Sequence, residues 1–321
     1  MLAKNRRVPT PASPSGSIAT PIALIIGSCV SLQFGAALAV QLFPELGTWG
    51  ITALRLSIAA VILLLAGRPR FLAWSRRQWF AVVGFGLSLG AMNGFFYAAL
   101  EHLPLGPAVA IEFVGPLVLS AVLSRRLVDM AWVGLAVAGI ALFGLDGVLG
   151  SEPLSPIGVA LVLVAAAFWV CYIRTSARVG GLIPGVGGLA VALSIASIAL
   201  LPFGVPAAME LALRPELVWL AVGTAVFASV APYTLELVAL RRLPQRVFGV
   251  LISLEPVFAA LFGWLLLQQA IGPLKIAAIA LVAGASVGIA LASRGKADPP
   301  PVAVTTASAP VIGEAPHRAT R

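Results

Sequence analysis

Charge is scarce in this chain. Only 10% of its 321 residues are Asp, Glu, Lys or Arg, where soluble domains carry about 25%. Hydrophobic residues make up 60% and the mean hydropathy is +1.02. A length that would suit two soluble domains therefore belongs mostly to a lipid bilayer. Cysteine and histidine are scarce too. Cys29 and Cys171 both lie inside apolar runs, which leaves no disulfide framework. With His102 in a short loop and His317 in the tail, no metal-ligand spacing exists either. The sequence has no phosphate-binding glycine loop, which argues against direct use of ATP, and no nucleophile with a histidine base. It reads as neither metalloprotein nor enzyme, and it calls for no cofactor.

What is present is a series of apolar runs. A spanning helix needs about 20 such residues, and ten stretches qualify: 18–40, 48–66, 79–99, 104–123, 130–148, 156–175, 184–205, 217–239, 245–266 and 273–292. The first is too long for a signal-peptide core and reads as an uncleaved span. Basic residues gather on alternate connections: Lys4, Arg6 and Arg7, then Arg68, Arg70, Arg76 and Arg77, then Arg125 and Arg126. Arg174 and Arg178 follow, then Arg241, Arg242 and Arg246, and last Arg294, Lys296, Arg318 and Arg321. Only Arg55, Arg214 and Lys275 depart from this side. The opposite loops hold acids, among them Glu45, Glu101, Asp146, Glu210 and Glu216. The positive-inside rule then gives an all-α integral membrane protein of ten helices with both termini cytoplasmic. The net charge of +9 is thus a topology signal, not a footprint for nucleic acid. Residues 1–17 read as a cytoplasmic basic tail, 18–149 and 156–292 as two five-helix repeats, and 293–321 as a disordered cytoplasmic tail.

The repeats are read from one stretch, LPQRVFGVLISLEPVFAALFGW, Leu243 to Trp264. It is apolar enough to span, yet it carries Glu255 and Pro256 near its middle. Sliding the chain by 140 residues places Leu103-Pro104 on Leu243-Pro244 and Pro116 on Pro256, with Glu112 one turn before its proline. Five helices per half is an odd number, so the halves insert in opposite senses. Such inverted repeats place substrate sites near the midplane at their interface.

An ionised carboxylate at that depth is expensive and usually faces a bundle interior or a water-filled path. Glu255 and Glu112 are therefore candidates to carry a proton across. A neutral acid bonded to a neighbouring helix, or an ion pair with Arg55, fits the same residues. Arg55, the one basic residue deep in a span, offers a planar fork to a carboxylate of the substrate, of Glu112 or of Glu255. Asn93 and Tyr97 share a helix face with Gly86 and Gly90. Ser229, Tyr233 and Glu236 share another beside Pro232. Arg55, Asn93, Tyr97, Glu112, Ser229 and Tyr233 are candidate substrate contacts. Gln33, Trp169, Tyr172 and Glu236 are weaker pore-lining candidates, and Glu236 alternatively pairs with Arg241 or Arg242. Pro116, Pro232 and Pro256 each remove a helix hydrogen bond, that of Pro116 freeing the carbonyl of Glu112 itself. Gly284 and Gly288 form a small-xxx-small pair suited to helix packing or a dimer seam. Monomer and homodimer both fit.

The segments SLQFGAALAVQLFP, GITALRLSIA, FGLSLGAMNGFFY, PLGPAVAIEFVGPL, SRRLVDMAW and SVAPYTLELVALRRLPQRVFGVLISLEPVFAA together resemble the drug/metabolite transporter superfamily of EamA type. Within it they are most similar to the branch of bacterial inner-membrane threonine/homoserine exporters. The resemblance implies paired five-helix repeats and export of small neutral amino acids, threonine or homoserine, by proton antiport with alternating access. Efflux of drugs or other metabolites by the same fold is the rival, and a membrane enzyme or receptor a remote one. One departure stands out: Gln268-Gln269 replaces a Gly-Glu pair common at the end of the ninth helix, which weakens any acidic role there.

The charge pattern predicts that reporter fusions after Leu149 and Gln268 lie outside the cell and those after Arg77 and Arg294 inside. A cytoplasmic signal from the Leu149 fusion overturns the division into five plus five.

Overall fold

The structure, a computed structural model, describes residues 19–124, 127–149, 154–240 and 245–292. Both expected tails, with Arg125, Arg126, Arg241 and Arg242, lie outside these residues. Among the described residues all regular structure is helical. The first half comprises α1 (Ala19–Val40), the short α2 (Phe43–Leu46), α3 (Thr48–Gly67), α4 (Arg76–Ala99), α5 (Leu105–Glu112), α6 (Val114–Ser124) and α7 (Leu127–Leu149). The second comprises α8 (Pro156–Leu182), α9 (Gly187–Ala199), α10 (Leu201–Leu213), α11 (Val218–Ala225), α12 (Ala231–Leu240), α13 (Gln245–Ile252), α14 (Glu255–Leu267) and α15 (Pro273–Ala292). Eight stretches are long and apolar enough to cross a membrane, and a ninth if α9 and α10 count as one bent span. In α7 the qualifying apolar stretch, Leu127–Phe143, is shorter.

Several boundaries differ from the apolar runs, each for a local reason. α4 starts at Arg76, not 79, because Ser75 and Gln78 form a capping box ahead of it. α8 runs on to Leu182, so Arg174 and Arg178 ride exposed on its last turns, where straight-chain residues favour helix. The run 184–205 is broken by an 84° bend between α9 and α10. Leu200 ends α9, and Pro202 stands in the first turn of α10, the one place a helix accepts proline without loss.

The 140-residue echo has a structural counterpart. α5 and α13 begin at Leu105 and Gln245 and end at Glu112 and Ile252, each four residues before a proline whose missing N–H leaves the last carbonyl without its helical donor. At Pro232 the helix does not break. Residues Val226–Val230 widen into a π-turn that carries the axis through to α12, and the extra residue relieves the clash of the proline ring with the preceding turn. Packing follows the same exchange. α1 lies on α12 and α14 as α8 lies on α4 and α6, and α4 lies on α9 as α11 lies on α3. The pairs α3–α9 and α7–α15 map onto themselves.

The bundle is sealed at the end away from the termini. There one buried cluster draws on α1, α3, α4, α5, α7, α8, α10, α11, α14 and α15, including Leu42, Leu46, Tyr97, Leu105, Phe143, Val162 and Ile279. At the terminus end the core divides into three separate groups, around Leu63 and Val82, around Ile25 and Cys29, and around Leu117 and Ala285. Polar bridges between the halves also gather at the sealed end. Arg214 pairs with Glu45, and within its own half with Glu210 at 2.8 Å; Lys275 lies 3.9 Å from Asp146; and the Leu105 N–H donates to Gln269 Oε1 at 3.0 Å. Arg214 and Lys275, which break the one-sided charge pattern, thus each face an acid of the first half. Gly288 receives the ring of Trp132 within the chain, whereas Gly284 faces open space.

Gly86 meets α9 so closely that an added Cβ would stand 2.6 Å from the Ala192 carbonyl oxygen, whereas at Gly84 the nearest atom is 3.7 Å away. Gly86→Ala should therefore destabilise the protein by about 1–3 kcal/mol, as overpacking does, and Gly84→Ala should be neutral. Thermal melting of the two variants in one detergent compares them directly.

Candidate functional site

Arg55 is the centre of the site. It sits in the middle of α3, 1% exposed, where the helix leaves its side chain no route to solvent. The guanidinium spends its fork on neutral acceptors from two other helices. Nη1 donates to the Ala228 carbonyl at 2.7 Å and to Ser229 Oγ at 3.0 Å, and Nη2 donates to Asn93 Oδ1. The Ala228 carbonyl is available because Pro232, four residues on, has no N–H to give it. Asn93 is fixed in turn by its own Nδ2, which donates to the Leu89 carbonyl at 2.8 Å. The Tyr97 ring lies beneath, with its centroid 4.6 Å from the guanidinium carbon.

No carboxylate completes this arrangement. The ion pairs among the described residues are those of Arg214 and Lys275 at the sealed end, so Arg55 is tied to neither Glu112 nor Glu255. A buried cation held only by neutral groups is costly unless an anion joins it. Two donors are free to receive one, since Arg55 Nε and the Tyr97 hydroxyl are buried without partners. Gln33, on α1, is 3% exposed and its Oε1 also lacks a partner.

The acids stand beside this centre. Glu112 ends α5 and lies within electrostatic reach of Tyr97. Glu255 opens α14, is 6% exposed, and lies within reach of both Glu112 and Glu236. Glu236 accepts a 2.7 Å hydrogen bond from Ser28 Oγ; the expected alternative partners, Arg241 and Arg242, lie outside the described residues. Tyr233 bridges the two groups, within reach of Arg55, Asn93 and Glu236. Tyr172 packs on Phe85 at 5.3 Å and lies near Tyr233, Glu236 and Glu255. Trp169 stands edge-on to Phe113, at the α5–α6 break, 5.0 Å between centroids. Glu112, Trp169, Tyr172, Tyr233 and Glu236 are half buried.

The structure thus draws Arg55, Asn93, Tyr97, Ser229 and Tyr233 into one cluster and Glu112, Glu236 and Glu255 into an adjoining one. Three participants had escaped notice in the sequence. The Ala228 carbonyl was computable from Pro232 by counting back four residues. Ser28 gave no signal, being one serine of an apolar run. Gln269, discounted for want of a charge, caps the start of α5 with its amide oxygen, a task that needs an acceptor rather than an anion.

The profile of the EamA-like transporter family matches residues 156–291. The threonine/homoserine exporter RhtA of Escherichia coli K12 is 38% identical over 275 residues, covering 85% of this chain and 92% of its own. RhtA of Salmonella typhimurium LT2 is 39% identical over the same span and shares. The chain belongs to the EamA-like transporters of the drug/metabolite transporter superfamily. A solved crystal structure shares the fold at a TM-score of 0.54 and 22% identity, covering 86% of this chain and 97% of that one. Within the EamA-like family this chain is a multi-pass bacterial inner-membrane protein, and its relatives are transporters rather than enzymes.

If Arg55 waits for a carboxylate, Arg55→Gln should cost ligand binding about 2–5 kcal/mol, or roughly thirtyfold or more in Kd. Arg55→Lys should not restore it, because a point charge cannot replace the fork. Amino-acid-induced shifts in Tm of the purified protein report both.

Proposed function

We propose that this chain exports small neutral amino acids of the threonine/homoserine type by proton antiport, using two inverted five-helix repeats, 18–149 and 156–292, in alternating access. The carrying observation is the buried Arg55 with no acid partner and with unpartnered donors at its Nε and at Tyr97. A zwitterion matches the site at both ends: its carboxylate meets Arg55 and the Tyr97 hydroxyl, and its ammonium meets the acids centred on Glu112. The identity to RhtA supports the substrate class, and the exchange-symmetric packing supports the repeat.

In this mechanism substrate enters from the divided, terminus end and its carboxylate takes the free Nε of Arg55 and the Tyr97 hydroxyl, while the neutral acceptors hold the guanidinium in place. Rocking one repeat against the other then separates the bridges at the sealed end. A proton arriving from that side takes the place of the departing ammonium on Glu112 or Glu255, so the acids never stand bare in the return step. Both termini are cytoplasmic in this reading, and the sealed end faces outward.

Proteoliposomes loaded with labelled homoserine or threonine test it, with proton and substrate flux read in the same vesicles. Export should follow an imposed pH gradient, and Glu255→Gln should abolish uphill export while leaving substrate-for-substrate exchange. Glu112→Gln should weaken exchange as well, since it removes an ammonium partner. Pumping by both variants against a gradient would end the proton-coupling scheme. Transport of hydrophobic cations instead of amino acids would favour drug efflux.

A further inference from the structure

The turn between α3 and α4 has no part in transport as drawn above, yet it is the most densely basic piece of the described structure. Arg68, Arg70, Arg76 and Arg77 fall within ten residues, all exposed, and none has an ion-pair partner among the described residues. Between them the apolar residues point outward. Leu72 is 90% exposed and Phe80 76%, with Phe71 also exposed. Water alone would favour neither arrangement: four like charges repel, and bare leucine and phenylalanine lose their hydrophobic gain.

The turn is built, not slack. Arg68 takes the left-handed conformation, φ 38°, and its N–H closes α3 on the Leu64 carbonyl at 2.9 Å. Pro69 lies against Gly187, where a Cβ would come within 2.9 Å of it. A single 3₁₀ turn, Phe71–Ala73, lifts Leu72 outward. Trp79 then packs tilted against Trp74 at 5.7 Å and stands edge-on to Phe71 at 6.4 Å between centroids. Gln78 Nε2 donates to the Leu182 carbonyl at 2.9 Å, tying the turn to the end of α8.

We infer that this turn binds the headgroup of an anionic phospholipid in the leaflet on the side of the termini. Leu72, Phe71 and Phe80 enter the boundary of the acyl chains, and the indoles lie at the level of the headgroups, where such rings prefer to sit. That depth brings the arginines to the phosphates, whose oxygens suit a guanidinium fork. The first turn of α4, its free N–H groups beside Arg76 and Arg77, adds to the attraction for a phosphodiester. Nothing acidic in the turn offsets the charge, so a lipid with a net negative headgroup is preferred over a zwitterionic one. The exposed apolar apex selects a lipid over a soluble phosphate.

Native mass spectrometry of the purified full chain tests this, with phosphatidylglycerol and phosphatidylcholine offered together. The wild type should retain phosphatidylglycerol preferentially. Removing two surface arginines in R70Q/R76Q should weaken that retention by about thirtyfold, while R174Q/R178Q, which removes as much exposed charge from α8, should leave it unchanged. Leu72→Gln should lower retention of phosphatidylglycerol too, and it reports independently if the double variant does not fold. Equal retention of the two lipids by the wild type, or equal loss in both arginine pairs, would overturn the assignment. So would displacement of phosphatidylglycerol by millimolar inorganic phosphate, which marks a site for soluble anions.

Discussion

A guanidinium held in the middle of a membrane bundle must be satisfied from several sides at once, and the arrangement of this protein follows from that demand. Arg55 takes one acceptor from α4 and two from the π-turn before α12, so three helices from both halves converge on one cation. The glycines of α4 let that helix approach α9 closely, which sets Asn93 and Tyr97 at the depth of the guanidinium. The π-turn is needed for the same reason: it carries the helix past Pro232 without a break, yet leaves the Ala228 carbonyl directed at Arg55. Each acceptor is neutral. Among the described residues the cation is therefore positioned but not neutralised.

The acids obey a related constraint. Glu112 and Glu255 both stand at interruptions, the first at the end of α5 and the second at the start of α14. A broken helix presents free backbone groups and a change of direction inside the bundle, where an unbroken one would present only side chains. Placing the carboxylates there brings them near one another from opposite halves without any loop crossing the apolar region.

Much of this was legible in the residues. Apolar runs located the helices, and a proline four residues after Glu112 located the end of α5. A 140-residue offset foretold that α13 would start and stop in step with α5. Arg55, Asn93, Tyr97 and Ser229 were singled out because polar groups in lipid are costly, and that cost is why they cluster. Two misses share a cause, for each depends on a partner distant in sequence: the Ser28–Glu236 bond and the choice of Asn93 rather than an acid as the partner of Arg55. The bend of α9–α10 is local, with Pro202 in the first turn of α10. The capping box that begins α4 at Arg76 was readable as S-R-R-Q, but apolarity alone placed the start three residues late.

The cations at the sealed end each have a second partner within their own half. Arg214 lies between Glu45 of the other half and Glu210, four residues earlier on its own helix. Parting the halves removes Glu45 and leaves Glu210 in place, so the cation is handed from a shared pair to a private one and is never stranded. Lys275 has a similar reserve, since its ammonium also donates to the Ala270 carbonyl at 3.3 Å, within its own half. Each cation therefore keeps a partner inside its own half that does not depend on the contact across the two halves.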